Sequence, residues 1–409
     1  MEVKAGNKQT DAGLIPEDWD VNTLESTTPP NRPNGIVDGP FGSNLKTIHY
    51  RKSGIPIITS GYVTDGKFFA SEYLYVDKEK FSQEKRSAVN PGDIVMAKIG
   101  ARCGASAILP KNHEIGILSG NALKVTVDNS RHSTYYIWKV LWNLYSNGNI
   151  EALRTVGAQP AISMANLKKY TIPLPPLPEQ EAIAEALSDA DALIEALEQL
   201  LAKKRQVKQG AMQELLTGNK RLPGFSGEWK ETTLGEIAEI VMGQSPSSVY
   251  YNKKGDGLPL IQGNADIVNR QTIKRVFTSQ ITKLGKTGDI LMSVRAPVGE
   301  IARATFDICL GRGVCAIRFP NNFLYHYLIF KEPTWIKLSK GSTFDAVNST
   351  DVKTFPVEMP ANDTEQTAIA EILSDMDAET AALEAKLVKA RQVKQGMMQE
   401  LLTGRVRLA

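Results

Sequence analysis

Apolar residues recur in steps of four and three along one stretch of the chain: Ile183, Leu187, Ala190, Ile194, Leu197 and Leu201. That spacing is the a/d seam of a heptad and predicts a long helix with one apolar stripe. The stretch occurs twice. Residues 179–222 return as 365–408 at a constant offset of 186, without a gap. The seam returns as Ile369, Leu373, Met376, Leu383 and Leu387, with Thr380 its polar member. Glu179-Gln180 and Glu365-Gln366 open the two copies, and Gln213–Gly218 returns as Gln399–Gly404. Pro178 before the first copy and Gly218 at its end are start and stop punctuation, and Asp363-Thr364 offers a cap for the second. A continuous helix from Glu179 to Thr217 spans about 58 Å. A lone helix cannot bury such a seam, so each copy is expected to pair with the other as a coiled coil, in preference to lying as an ordinary core helix inside one domain.

The remainder reads as two globular regions with a common order. Ile55–Ser60 and Gly92–Gly100 have the look of turn-bounded strands, and Tyr135–Ser146 has helical spacing. Trp19 with Leu24 is echoed by Trp229 with Leu234, Gly54–Ile58 by Gly257–Ile261, and Gly92–Met96 by Gly288–Met292. Thr217-Gly218-Asn219-Lys220 also matches the opening Ala5-Gly6-Asn7-Lys8, while the chain stops just past Thr403-Gly404. The repeat is therefore circular. The expected fold is α+β: two similar globular domains, 1–178 and 219–364, joined by two long antiparallel helices, 179–218 and 365–409, as a coiled coil with a circular pseudo-two-fold repeat. Residues 6 and 404 should lie within ~40 Å of each other, the scale of a domain diameter.

A chain of 409 residues is too long for one core, and its 42% hydrophobic content is that of a globular protein. No stretch reaches the ~18 apolar residues of a membrane span, and the first residues lack a signal peptide's apolar core, so a cytoplasmic protein is expected. Cys103, Cys309 and Cys315 form no CxxC pair, and the four histidines lack ligand spacing, so no metal is expected. Net charge is +3, but the globular regions 1–178 and 219–364 each carry +4 while the helical segments carry −4 and −1. That balance is compatible with nucleic-acid contact through the globular regions. Gly285-Lys286-Thr287 resembles a P-loop ending, but Gln280 stands where the earlier glycine belongs. No nucleophile elbow and no Asn/Asp-Pro-Pro-Tyr/Phe methyltransferase tetrapeptide occurs. The pattern favours binding over catalysis.

Gly288-Asp289-Ile290-Leu291-Met292-Ser293-Val294-Arg295-Ala296-Pro297-Val298-Gly299 resembles the specificity (S) subunits of type I restriction-modification systems. Gly311-Arg312-Gly313, Gly341–Phe344, Pro175–Gln180 and the two Leu-Leu-Thr-Gly endings add to the resemblance, which covers essentially the whole chain. The first half departs from it, with Lys98–Gly104 in place of Val-Arg-Ala-Pro-Val-Gly, as expected of halves that read different DNA. The resemblance implies two target recognition domains, each reading one half of a bipartite site in double-stranded DNA. It implies a helix pair that sets the gap, at most roughly 17 base pairs, and docks two methyltransferase (M) subunits, with restriction/motor (R) subunits joining where present. S-adenosylmethionine, ATP and magnesium are expected on those partners; this chain would carry no cofactor, no catalytic residue and no membrane contact. Candidate DNA-binding residues are Ser43, Asn44, Lys46, Tyr62, Lys98 and Arg102 in the first domain. In the second they are Gln262, Asn264, Arg295, Arg312, Ser342 and Thr343. Each has an alternative: a turn that needs glycine, a structural ion pair, or, for Tyr62, a half-buried ring. The alternative for the whole chain is a coiled-coil scaffold with protein-binding end domains.

Overall fold

The computed structural model describes residues 6–408 apart from positions 12, 32, 156–158 and 340–345. The chain divides into two compact units, Met1–Ala196 with Leu387–Ala409, and Leu197–Lys386. Each holds one globular region, the front of one long helix and the back of the other.

In the first unit, strand Ile94–Ala97 lies between Ser106–Ile108 and Ala122–Val125, with Ile36–Asp38 beyond, all antiparallel. A second sheet runs in the order Tyr75–Val76, Ile55–Ile58, Gly116–Leu118, Ala88–Val89, and its central pair is parallel. Alternation along strand Ile94–Ala97 sends Ile94 and Met96 into one core and Val95 and Ala97 into another. Both faces are covered, so the strand reads as an unbroken apolar run. Helix Thr134–Ser146, capped by the Ser133 hydroxyl, closes the first core together with Ile183, Leu187, Met398, Leu401 and Leu402 of the long helices.

The second unit repeats this plan. Ile290–Ser293 lies between Ile301–Arg303 and Val314–Arg318, followed by Glu239–Met242, and Leu258–Ile261 pairs in parallel with Ile308–Leu310. Ile290 and Met292 face a core shared with Met212, Leu215, Ile369 and Leu373, while Leu291 faces the other.

The long helices run Leu177–Leu215 and Asp363–Leu401, 39 residues each. The first begins two residues before Glu179, so Pro178 lies in the first turn, where no helical hydrogen bond is lost, rather than ahead of it. Within the first unit Asp191 pairs with Lys394; within the second, Lys204 pairs with Glu379 and Lys208 with Asp377. In the second unit the partner number falls from 379 to 377 as the helix number rises from 204 to 208, which makes the pairing antiparallel. The seam is not uniformly buried. Ile183, Leu187, Ile369 and Leu373 are at most 1% exposed because they enter the globular cores, and Leu201, Leu383 and Leu387 are nearly closed off. Ala190, Ile194, Leu197 and Met376 are half-buried. Thr380 turns its hydroxyl back to the carbonyl of Met376, which satisfies the polar position inside its own helix.

The Glu-Gln openings dock each helix. Gln180 donates to the carbonyl of Pro175 and accepts from the backbone of Ser133; Gln366 donates to the carbonyl of Pro360 and accepts from Asn321. Glu179 is gripped by Arg407 and by the Trp19 indole N–H, and Glu365 by Arg221. Arg407 and Arg221 stand 186 apart, as do Glu179 and Glu365. The Arg407 grip draws the two ends of the chain to one corner of the first unit. Gly404 packs so tightly on Pro16 that a Cβ there would lie 2.4 Å from the ring, and the carbonyl of Gly6 accepts from Glu17 at 3.1 Å. Residues 6 and 404 are thus neighbours, as the circular repeat requires.

Candidate nucleic-acid interface

Strand direction gathers the loops. In the first unit, Ile55–Ile58 and Gly116–Leu118 run parallel, so the loops that leave them, 59–62 and 119–121, emerge at one end. Ala122–Val125 starts at that end and runs antiparallel to Ile36–Asp38 and Ile94–Ala97, whose exits, 39–46 and 98–104, therefore arrive there too. Backbone hydrogen bonds tie the exits together: Gly39 donates to Ala122 (3.0 Å), Lys98 to Asn121 (2.8 Å) and Ser119 to Ile58 (2.9 Å).

The second unit builds the same end from Leu258–Ile261, Ile308–Leu310, Glu239–Met242 and Ile290–Ser293. Here Gly243 donates to Val314 (3.0 Å), Gly311 to Ile261 (2.8 Å) and Val294 to Gly313 (2.9 Å). The glycines at the first exits have one physical reason. A Cβ on Gly39 would sit 2.0 Å from the carbonyl oxygen of Ser119, and one on Gly243 would sit 2.1 Å from that of Gly311. Only glycine lets the two chain segments pass so closely.

Of the candidate residues in the first unit, Asn44 and Lys46 are exposed on the 39–46 loop, and the Lys46 backbone N–H donates to the His49 ring (3.0 Å). Tyr62 is half-buried, edge-on to Phe68 and Tyr73, and its hydroxyl donates to the carbonyl of Glu72 (2.8 Å). Burial raises its phenol above the ordinary value. Lys98 is 2.5 Å from Asp38 and stacks 4.0 Å from the Phe41 ring centre. Arg86 reaches the same Asp38 carboxylate (3.1 Å). Arg102 is exposed and donates to Thr64 Oγ1 (2.9 Å) and the carbonyl of Val63.

In the second unit Gln262, Arg295 and Arg312 are exposed, and Asn264 is half-buried with its amide on Glu300. The Arg312 backbone donates to Ser245 (3.1 Å). Its guanidinium and that of Arg295 have no protein partner among the described residues. The Ser43 side chain, Ser342 and Thr343 lie outside the described residues.

Four side chains at these ends escaped the sequence reading: Asp38, Phe41 (46% exposed), Ser245 and Glu300. Gly243-Gln244-Ser245 stands where Gly39-Pro40-Phe41 stands, and that match was the available signal. Asp38 and Glu300 carry no local motif; only the folded loops bring them to Lys98 and Asn264. Among the described residues, no group of three or more His, Cys, Asp or Glu is placed to hold a metal, and no helix is long and apolar enough to cross a membrane.

Comparison with known proteins agrees with this duplicated plan. The family described as type I restriction modification DNA specificity domain matches twice, over residues 43–206 and 226–390. The chain is 30% identical to the putative type I restriction enzyme MjaX specificity subunit of Methanocaldococcus jannaschii, over 98% of this chain and 96% of that one. It also shares its fold with the crystal structure of a type I restriction-modification system S subunit from M. genitalium (TM-score 0.62, 17% identity, covering 96% of this chain and 97% of that one). A chain solved in work on complex assembly and conformational transition of the type I R-M system is similar as well (TM-score 0.57, 23% identity, covering 96% and 99%). None of these matches favours a coiled-coil scaffold. With two family matches, each running into a copy of the same helix, the chain belongs to the type I restriction-modification DNA specificity family.

Proposed function

We propose that this chain is the DNA-reading, non-catalytic subunit of a type I restriction-modification complex, with each globular region reading one half of a bipartite duplex target. The observation that carries the reading is the loop end built twice on one plan but lined differently. One copy presents Asn44, Lys46 and Arg102, the other Gln262, Arg295 and Arg312. Asparagine, glutamine and arginine are the side chains that read base edges, and lysine and arginine hold phosphates. A shared scaffold with different lining suits two different half-sites.

The long helices, each about 58 Å at 39 residues, would set the gap between half-sites and offer outer faces to two methyltransferase subunits. S-adenosylmethionine would be bound by those partners; ATP and magnesium would belong to motor subunits where present. A pull-down with the full chain from cells that also express a type I methyltransferase subunit from the same host, followed by selection from a random-sequence duplex library, tests this. Enrichment of two short motifs separated by a fixed unspecified gap is expected. Enrichment of one motif, or of none, contradicts it.

A further inference from the structure

Glu300 and Asn264 come from different exits of the second unit, yet they meet side chain to side chain. Both are held from behind. The Glu300 backbone N–H donates to Ser293 Oγ (2.9 Å), and Ser293 N–H donates back to the Glu300 carbonyl (3.0 Å). The Asn264 turn is pinned because Asp266 N–H donates to the Gly263 carbonyl (3.0 Å) and the Asp266 carboxylate accepts from the Gln262 N–H (2.8 Å). Asp266 is 7% exposed, so this anchor is itself buried.

A carboxylate offers only acceptors, so the amide must turn its NH2 group to Glu300. One amide hydrogen is then used. The carbonyl oxygen and the second amide hydrogen remain, in a fixed sense. An acceptor beside a donor is the complement of the adenine major-groove edge, with its N6 donor and N7 acceptor. Neighbouring Gln262 carries the same chemistry, but its exposed side chain has no hydrogen bond among the described residues. It would lose rotamer freedom on binding that Asn264 has already lost on folding.

Building on the reading that the second unit contacts DNA bases, we propose that Asn264 is a specificity-determining residue for one adenine of its half-site. Glu300 is the positioning residue that fixes the amide against flipping. In the fixed sense the carbonyl oxygen would face the O6 acceptor of guanine, whereas an amide free to flip would exchange its two groups and set its NH2 donor against that O6. Glu300 thus excludes guanine without touching it.

The test is duplex selection with full-length wild type, Asn264→Ala and Glu300→Gln, each co-purified with the methyltransferase subunit. The wild type should enrich a motif in which one position is adenine. Asn264→Ala should lose preference at that position alone, by about five- to 150-fold, the range of one good bidentate contact. Glu300→Gln, whose amide can donate, should admit guanine beside adenine at the same position. A merely structural Glu300 would lower enrichment of all sequences equally and leave the base preference unchanged, which overturns its orienting role. A wild-type motif retained in full by Asn264→Ala overturns the adenine contact while leaving the DNA reading intact. No wild-type motif overturns the DNA reading itself.

Discussion

Asp191 and Asp377 are the same residue of the repeated helix, 186 positions apart, but they face different partners. Asp191 accepts from the Tyr135 hydroxyl (2.7 Å) and pairs with Lys139 (2.6 Å) and Lys394. Lys139 is 1% exposed and lies 4.0 Å from the Trp138 ring centre. Burial outweighs Asp191 there and pushes the ammonium down to about 8, so it remains charged at neutral pH. Burial would raise Asp191, but Lys139 and its other donors outweigh it and hold the carboxyl below its ordinary value. Asp377 instead pairs with Lys208 and lies 3.7 Å from the His326 ring.

Asp191→Asn therefore strands a buried cation. Removing one partner of a fully buried pair costs about 3–5 kcal/mol. The Asp191 carboxylate is 32% exposed, and water relieves part of the cost, leaving about 2–3 kcal/mol. Asp377→Asn leaves Lys208 near solvent beside an uncharged ring, which costs under about 1 kcal/mol. Hydrogen exchange of the Thr134–Ser146 helix reads the local stability. Asp191→Asn should speed its exchange about 30- to 160-fold, while Asp377→Asn should change the Phe323–Phe330 helix less than about fivefold. Replacing the pair together, Asp191→Leu with Lys139→Met, should recover most of the loss. Equal effects of the two asparagine variants would refute the reasoning.

His326 is 1% exposed; burial drives its pKa to about 4, against Asp377 and with help from Lys208 and Arg303. The unfolded chain binds this proton between pH 6.5 and 4 and the folded one does not, so stability falls as pH drops through that window. The difference between wild type and His326→Gln in acid unfolding should carry that pH dependence. Arg407→Ala leaves Glu179, 7% exposed, with the Trp19 indole as its remaining side-chain donor among the described residues, and should cost the first unit about 2–3 kcal/mol in urea unfolding. Lys46→Ala should weaken binding to all duplexes alike and lower the salt slope by about one, measured by fluorescence anisotropy against salt.

The architecture was legible because a gapless repeat cannot hide. The helices and their seam follow from the offset of 186, and the joined ends from the match of residues 217–220 to 5–8. The partial burial of Ala190, Ile194 and Leu197 was not, since a heptad stripe looks the same whether a globular core or a single helix covers it. At the candidate interface, glycines marked the loops, and strand order then placed Lys98, Arg102, Arg295 and Arg312 at the two ends. What those side chains meet was illegible. Lys98 reads equally as a phosphate contact or an ion pair until Ile36–Asp38 delivers a carboxylate to it, and nothing in the sequence brings Glu300 to Asn264 from 36 positions away.

The most direct test of the central claim is a long-read methylation map of the host genome, with and without this gene. The account predicts that one two-part adenine-methylated motif disappears on deletion and returns on complementation. Identical maps, in cells where the partner methyltransferase is expressed and co-purifies with this chain, would contradict it.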